Sequence, residues 1–190
     1  MTKIAIITGS SRTGRVTDRV SKWVANNAKQ FADATILDLQ DYPIPFLDEA
    51  VSPRFNPNRT PDEATAKWLK DLADYDAYVI VTPEYNRSMP GVLKNAVDVI
   101  GHELDDKPVA LIGHGSTGGA QAVATLRLAL PGIGAVALPQ AVFLTQPVAD
   151  IIDEDGNLSD ELKKQTFGPE TNLEMQLQTL VRYAKALKNL

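Results

Sequence analysis

The sequence predicts an α/β fold: a five-stranded parallel sheet, doubly wound, with helices on both faces to give a three-layer sandwich. Short apolar runs alternate with amphipathic stretches along the 190-residue chain, and this alternation is typical of parallel sheets. Several runs are continuously apolar, which indicates strands buried on both faces. Hydrophobic residues make up 44% and charged residues 23% of the chain, as in an ordinary globular protein. The length favours a single domain over residues 1–190.

Hydrophobic periodicity places the elements in order. The runs that predict strands occupy Lys3–Thr8, 35–39, 77–82, 108–113 and Val136–Leu144, the last interrupted by Pro139. The stretches with apolar residues at helical spacing occupy 16–28, 60–72, 92–100, 120–130 and 173–187. Two connections are predicted to be irregular, the proline-rich 41–58 and the acidic 150–157.

Two of the helix starts carry capping signals. Thr60, followed by Pro61 and Glu63, predicts a capping box in which the Thr60 side chain caps the helix. Thr171 and Glu174 predict a second capping box at the start of the last helix. Such boxes supply acceptors for N–H groups that the first turn of a helix leaves without partners.

Charge and composition exclude several classes of function. The chain has 19 Lys and Arg against 24 Asp and Glu, a net charge of −5, which disfavours binding to nucleic acid or to an anionic membrane. It has no cysteine and two histidines, which excludes disulfides and thiolate catalysis and predicts no metal site. No stretch has the roughly 18 consecutive apolar residues of a membrane span, and no secretory signal is recognised. We therefore expect a cytoplasmic protein.

Three loops follow the carboxyl ends of predicted strands, where parallel α/β sheets bind their ligands. They are 9–15 (GSSRTGR), 83–90 (PEYNRSMP) and 113–119 (GHGSTGG). All three combine turn-forming residues with hydroxyl, amide or charged side chains, a composition that packing alone does not require. We expect them to form one binding site.

The first loop has the composition of an anion site. Its hydroxyls, Arg12 and the N-terminus of the next helix provide donors and positive charge for a phosphate. Its glycine spacing is that of a nucleotide P-loop, but Arg15 and Val16 replace the lysine and the Ser/Thr, so magnesium-nucleotide binding is rejected. A phosphate monoester held by Ser10, Arg12 and backbone amides fits these residues. An ordinary polar turn is the alternative.

The second loop has a backbone fixed by prolines and could lie along a flat heterocycle. It presents an aromatic residue, an amide and a carboxylate next to a strand end. Glu84 could instead be a general base, although no paired acid is evident. The remaining alternative is a plain entry into the next helix, with Ser88 and Pro90 as start signals.

The third loop is rich in glycine, which allows a close approach of backbone to ligand. Ser116 is not a hydrolase nucleophile, because His114 stands where a nucleophile elbow needs glycine. A histidine such as His114 is more often structural than catalytic. A phosphate site beside two loops that suit the edges of a planar ring predicts FMN as the ligand.

Three motifs carry a family resemblance: GSSRTGR at 9–15, TPEYNRSMPGVLKNAVD at 82–98 and GHGSTGGAQAVATLR at 113–127. In their order and spacing the chain resembles the NADPH-dependent FMN reductase family of flavodoxin-like quinone, azo and chromate reductases. The resemblance implies a flavodoxin-like fold and an enzyme that passes hydride from NADPH or NADH through FMN to a small acceptor in a ping-pong cycle. It also implies a homodimer or homotetramer.

The resemblance assigns no catalytic side chain but implies FMN contacts from all three loops. The phosphate contacts are expected from Ser10 and Arg12, with Arg15, Val16 and Thr17 as further candidates. The isoalloxazine contacts are expected from Pro83, Glu84, Tyr85, Asn86, Gly115, Ser116, Gly118 and Gly119. Arg15, Arg19 and Arg87 are candidates for the 2′-phosphate of NADPH. A flavodoxin-like electron carrier and a non-enzymatic FMN sensor remain alternatives.

Overall fold

The computed structural model of the protein describes residues 1–188. Its strands are β1 (Lys3–Thr8), β2 (Asp33–Asp38), β3 (Ala77–Pro83), β4 (Pro108–His114) and β5 (Val136–Leu144). Its α-helices are α1 (Thr17–Ala28), α2 (Glu63–Ala73), α3 (Gly91–Asp98), α4 (Ala120–Ala129), α5 (Val148–Ile151), α6 (Asp160–Lys163) and α7 (Pro169–Leu187). Short 3₁₀ helices occupy Leu39–Asp41, Pro53–Phe55 and Leu130–Ile133.

The strands pair in parallel in the order β2-β1-β3-β4-β5. This confirms the prediction of a five-stranded, doubly wound parallel sheet. The strand order reverses at β1, because β2 lies on one side of it and β3 on the other. Thr8 pairs with Val81, and Pro83 pairs with His114, so the carboxyl ends of β1, β3 and β4 meet at one edge. Ligand sites of such sheets lie at this reversal.

Each face of the sheet has its own hydrophobic core. Helices α1 and α7 cover one face and contribute Trp23, while α2, α3 and α4 cover the other and contribute Trp68. Both indoles are fully buried with their N–H groups bonded: Trp23 donates to the Glu170 carboxylate at 2.6 Å, and Trp68 donates to the carbonyl of Ala96 at 3.0 Å. Within residues 1–188, no helix combines the length and apolar composition needed to cross a bilayer.

The predicted interruption of β5 at Pro139 is a bulge. Between Val109 and Leu111 of β4, the partner on β5 moves from Ala137 to Ala141. Proline has no N–H to give to a ladder, so strands accommodate it at such irregularities. Gln176 of α7 replaces part of the lost bonding, because its amide donates to the carbonyls of Leu111 and Gln140, each at 3.1 Å.

Both predicted capping boxes are wrong. Helix α2 begins at Glu63, and its N-cap is Asp62, whose carboxylate accepts from Ala64 N at 3.0 Å and Thr65 N at 3.2 Å. Asp62 stands at the position where its oxygens reach the free N–H groups, while Thr60 lies two residues too early.

The last helix also starts before its predicted capping box. It begins at Pro169, so Thr171 and Glu174 are inside it. Proline suits a first helical position, since its missing N–H would have no intrahelical partner there. The acidic connection is partly ordered as well: α5 occupies its start, and the Asp153 carboxylate then accepts from the N–H groups of Asp155 and Asn157.

Asp62→Ala is expected to lower the free energy of unfolding by about 1 kcal/mol, because two N–H groups lose their acceptor. Thr60→Ala is the matched control, and its effect should stay within about 0.5 kcal/mol. Denaturant titration of both variants measures the two losses. A larger loss for Thr60→Ala would contradict the observed start of α2.

Candidate functional site

Backbone hydrogen bonds join the three loops at the carboxyl edge of the sheet. The N–H of Gly9 donates to the carbonyl of Val81 at 2.8 Å, and the N–H of Glu84 donates to the carbonyl of His114 at 3.1 Å. The N–H of Gly115 donates to the carbonyl of Leu144 at the end of β5, at 3.3 Å. The structure therefore brings the three predicted loops together.

Side chains connect the first loop to the second. Ser10 is fully buried, and its Oγ lies 2.9 Å from the hydroxyl of Tyr85. The guanidinium of Arg12 lies 5.5 Å from the centre of the Tyr85 ring, a cation–π contact. Arg12 is exposed and forms no ion pair within the described residues. Its charge is therefore available to an anion.

Arg15, a predicted phosphate contact, is bonded within the protein. Its guanidinium donates to the carbonyl of Ser10 at 2.8 Å and pairs with the carboxylate of Asp38 at the end of β2. Burial raises the pKa of Asp38, and the Arg15 charge offsets part of that rise. Arg15 thus helps to fix the path of the first loop, with both terminal nitrogens of its guanidinium bonded within the protein.

The start of α1 offers N–H donors to a ligand. Its N-cap is Val16, whose side chain cannot accept a hydrogen bond, so no side chain caps this helix. Thr17 is buried, and its Oγ1 lies 3.0 Å from Nε2 of His114. The backbone amides of Val16 and Thr17, at a helix start without a side-chain cap, suit an anion.

The second loop makes a tight turn at its tip. Tyr85 and Ser88 exchange two backbone hydrogen bonds of 3.0 and 3.1 Å. The two residues between them both have left-handed backbones, with φ 50° for Asn86 and 67° for Arg87. This is the pattern of a type I′ turn, in which glycine is favoured. Pro83 is buried at the end of β3, so the loop begins from a fixed point.

Glu84 joins the second loop to the third. Its carboxylate accepts from Oγ1 of Thr117 at 3.0 Å and from the N–H of Gln121, in the first turn of α4, at 2.9 Å. Both of its oxygens are therefore engaged within the protein. Only the backbone of Glu84 is left to contact a ring, and the alternative of a free general base is disfavoured.

Two glycines of the third loop are required by the packing of the loop itself. A Cβ on Gly118 would lie 3.0 Å from Cβ of Phe143, and one on Gly119 would lie 2.6 Å from the N of His114. Both residues also have positive φ. The side of each glycine on which a Cβ would stand is already occupied. The predicted ring contacts of these two glycines would therefore have to be made from the other side of the backbone. Gly115 is half-buried, and Ser116 and Thr117 are exposed, so these three are the accessible residues of the loop.

A cavity of about 550 Å³ lies beside the third loop. It is lined by Val16, by His114–Ser116 in β4 and the third loop, and by residues 145–149 after β5. Its volume is within the range of small-molecule sites. Sequence reasoning missed residues 145–149, although they too follow the carboxyl end of a predicted strand and Pro147 marks a fixed turn.

His114 lies at the junction of these loops and is uncharged at neutral pH. Burial lowers the pKa of its imidazole to about 4. The side chain contacts Thr17 of α1, and the carbonyl accepts from Glu84 of the second loop. The structural interpretation of this residue is therefore favoured over a catalytic one. Within residues 1–188, no group of three or more His, Asp or Glu is placed to hold a metal ion.

His114→Gln is expected to reduce the acid sensitivity of the fold. The unfolded chain binds a proton at this histidine near pH 6.5, while the folded protein resists it down to about 4. The contribution of His114 to the free energy of unfolding is thus fully present above pH 6.5 and is lost as the pH falls. Between pH 7 and pH 5 this residue alone accounts for a loss of about 2 kcal/mol. Unfolding free energies of parent and variant at both pH values measure that difference.

His102→Gln is the control, because the other histidine has the opposite sign. The carboxylate of Asp105 raises the pKa of His102. The stabilisation from this pair is therefore present at low pH and is lost as the pH rises through the raised pKa of His102. The free energy of unfolding of His102→Gln should therefore still fall as the pH is lowered, as it does in the parent. Equal acid losses in the parent and in His114→Gln would contradict the assignment.

Comparisons with known proteins identify the family of the chain. The profile of the NADPH-dependent FMN reductase family matches residues 2–149. An NAD(P)H-dependent FMN reductase of Schizosaccharomyces pombe is 32% identical over 176 residues, 87% of each chain. A 2-hydroxy-1,4-benzoquinone reductase of a Burkholderia species is 34% identical over 183 residues, 87% of this chain and 91% of that one. The fold also matches the structure of FerB, a flavoenzyme NAD(P)H:(acceptor) oxidoreductase of Paracoccus denitrificans, with a TM-score of 0.77 and 24% identity over 98% of both chains. The chain belongs to the NADPH-dependent FMN reductase family.

Proposed function

We propose that the protein binds FMN and reduces a small acceptor with electrons from NADPH or NADH. The acceptor class is a quinone, an azo compound, a metal oxyanion or free flavin. The observation that carries the proposal is the joined set of three loops, with a free arginine and an uncapped helix start on one side and a cavity on the other. FMN has the matching parts, a phosphate and a planar ring. The names of the relatives, FMN reductase and quinone reductase, support the same chemistry.

The first loop fits the phosphate of FMN. The N–H groups at the start of α1 have no side-chain cap, and Arg12 has no acidic partner in the described part of the chain. The hydroxyls of Ser10 and Tyr85 carry two hydrogens but share one bond, so one hydrogen remains to donate to a phosphate oxygen. Positive charge and free donors together are the requirements of a dianionic group.

The second and third loops fit the ring. Pro83–Asn86 would lie along one edge through its backbone, and Gly115 and Ser116 along another. The N–H of Gly118 is bonded to the carbonyl of Gly115 at 2.9 Å, which leaves those of Ser116 and Thr117 to face the ring. Such amides would favour electron density at that edge.

FMN supplies the two-electron chemistry when bound, and the protein supplies position and electrostatic field. His114 and Glu84, the titratable groups that join the loops, are both engaged within the protein. His114 is buried and neutral, and Glu84 is held by two donors. The chain's own residues therefore bind and orient, and no side chain is assigned as a general acid or base.

We further propose that the protein forms a homodimer or homotetramer. Phe46 and Phe55 are 84% and 79% exposed, yet the loop that carries them is ordered by hydrogen bonds from Asn95 to Ile44 and Pro45. Large apolar side chains fixed on a surface favour contact with another chain. Light scattering should give two or four times 20.6 kDa, and a monomer would contradict the proposal.

We propose a cytoplasmic location, where NADPH and NADH are available.

Anaerobic titration of the FMN-loaded protein with NADPH tests the activity. We expect the flavin absorbance to bleach after one equivalent, followed by oxidation on addition of a quinone. A flavin that stays oxidised with both NADPH and NADH would contradict the enzyme and favour a carrier or a sensor. Failure to retain FMN would contradict the binding site itself.

Arg12→Ala is expected to weaken FMN binding by about 1.5–3 kcal/mol, because a charge-assisted contact to the phosphate is lost. This corresponds to roughly a tenfold to 150-fold rise in Kd, measured by the quenching of flavin fluorescence. Arg182→Ala removes the same charge from the exposed face of α7 and should leave the Kd unchanged. Equal Kd values for the parent and Arg12→Ala would remove Arg12 from the phosphate site.

A further inference from the structure

Arg87 combines a strained backbone with an exposed charge. Its φ of 67° follows the φ of 50° at Asn86, in a turn closed by the two hydrogen bonds between Tyr85 and Ser88. Glycine would adopt this conformation without strain. Non-glycine residues held in this region are concentrated at functional sites. The backbone conformation therefore does not explain arginine at this position.

The other cations near the three loops are already held. The acidic pairs are Arg15 with Asp38, Arg19 with Glu154 and Lys94 with Asp98. Arg12 stacks against Tyr85 and is assigned to the FMN phosphate. Of the three arginines that the sequence offers for the 2′-phosphate, two are thus committed to carboxylates.

Arg87 forms no ion pair or side-chain hydrogen bond in the part of the chain that the structure describes. It lies at the tip of the loop whose base is bonded to the first loop through Tyr85 and Ser10. The turn is closed on both sides, so the guanidinium is presented from a fixed backbone at the rim of the site. Rigid presentation of a free cation favours recognition of an anionic group from solution.

We infer that Arg87 binds the 2′-phosphate of NADPH and makes the enzyme prefer NADPH to NADH. This inference rests on the proposed function. The two nucleotides differ by that phosphate alone, which carries close to two negative charges at neutral pH. A guanidinium matches a phosphate with paired N–H donors. In a protein of net charge −5, the more anionic nucleotide needs such a contact to be preferred.

The kinetic test compares NADPH with NADH in FMN-loaded protein with one quinone as acceptor. The quantity measured is the ratio of the two kcat/KM values. Arg87→Gly should lower this ratio about tenfold or more, mainly through the KM for NADPH. Arg87→Lys keeps a charge without the paired donors and should lie between Gly and the parent. Equal losses with both nucleotides would overturn the inference, as would a parent without preference for NADPH.

Arg182→Ala is the matched control, because it removes an exposed arginine at the opposite end of the molecule. The end of α7 lies against the amino end of β3, where Lys188 contacts Asp76 at 2.8 Å. The nucleotide ratio of this variant should equal that of the parent. Thermal melts complete the control: Arg87→Gly should melt no lower than the parent, since glycine suits the turn.

A binding test separates this inference from the activity. Calorimetry on FMN-loaded protein compares adenosine 2′,5′-bisphosphate with adenosine 5′-monophosphate, which lacks the 2′-phosphate. The parent should bind the bisphosphate about tenfold more tightly, and Arg87→Gly should bind the two alike. Equal affinity in the parent would overturn the assignment of Arg87. If neither NADPH nor NADH reduced the flavin, the proposed function would fail, while this comparison would still decide whether Arg87 binds a 2′-phosphate.

Discussion

The carbonyl of His114 accepts the N–H of Glu84 at 3.1 Å while its imidazole lies 3.0 Å from the hydroxyl of Thr17. One buried residue therefore joins α1, the second loop and the third loop. Burial keeps the imidazole neutral, so the junction adds no positive charge beneath the site.

The charged side chains at the site are either paired within the protein or exposed. Arg15 and Glu84 hold the loops together. Arg15 binds Asp38 and a carbonyl, and Glu84 accepts one bond from Thr117 of the third loop and one from the first turn of α4. Arg12 and Arg87 stay exposed without acidic partners in the described residues. A bonded charge fixes geometry, while a free charge can exchange water for an anion. The same residue type serves both purposes, according to what lies beside it.

Backbone constraints complete the arrangement. Gly118 and Gly119 allow the third loop to pack against Phe143 and against its own β4 strand, where a Cβ would collide. The opposite choice is made at Arg87, where a side chain is retained in a conformation that glycine prefers. The first case is explained by packing alone. Packing does not explain the second case, and this difference is the basis for proposing a ligand contact at Arg87.

The strands, their order along the chain and the three loops could be predicted from sequence, because each depends on local periodicity or on a strand end. The helix starts could be predicted less well: Thr60 and Asp62 are both good caps, and only the geometry selects Asp62. Residues 145–149, which line the cavity, could not be predicted, because their place beside the third loop depends on β5 lying beside β4.

The sequence by itself determined the class of fold and the composition of the site, since both follow from residue types at local spacing. Only the tertiary structure decided which side chains are free. Arg15 and Asp38 are 23 residues apart, and Thr17 and His114 are 97 apart. Contacts over such separations are set by the order of the strands and the packing of the helices on them. No local pattern could therefore show that Arg15 is paired with Asp38 while Arg87 has no ion pair among the described residues.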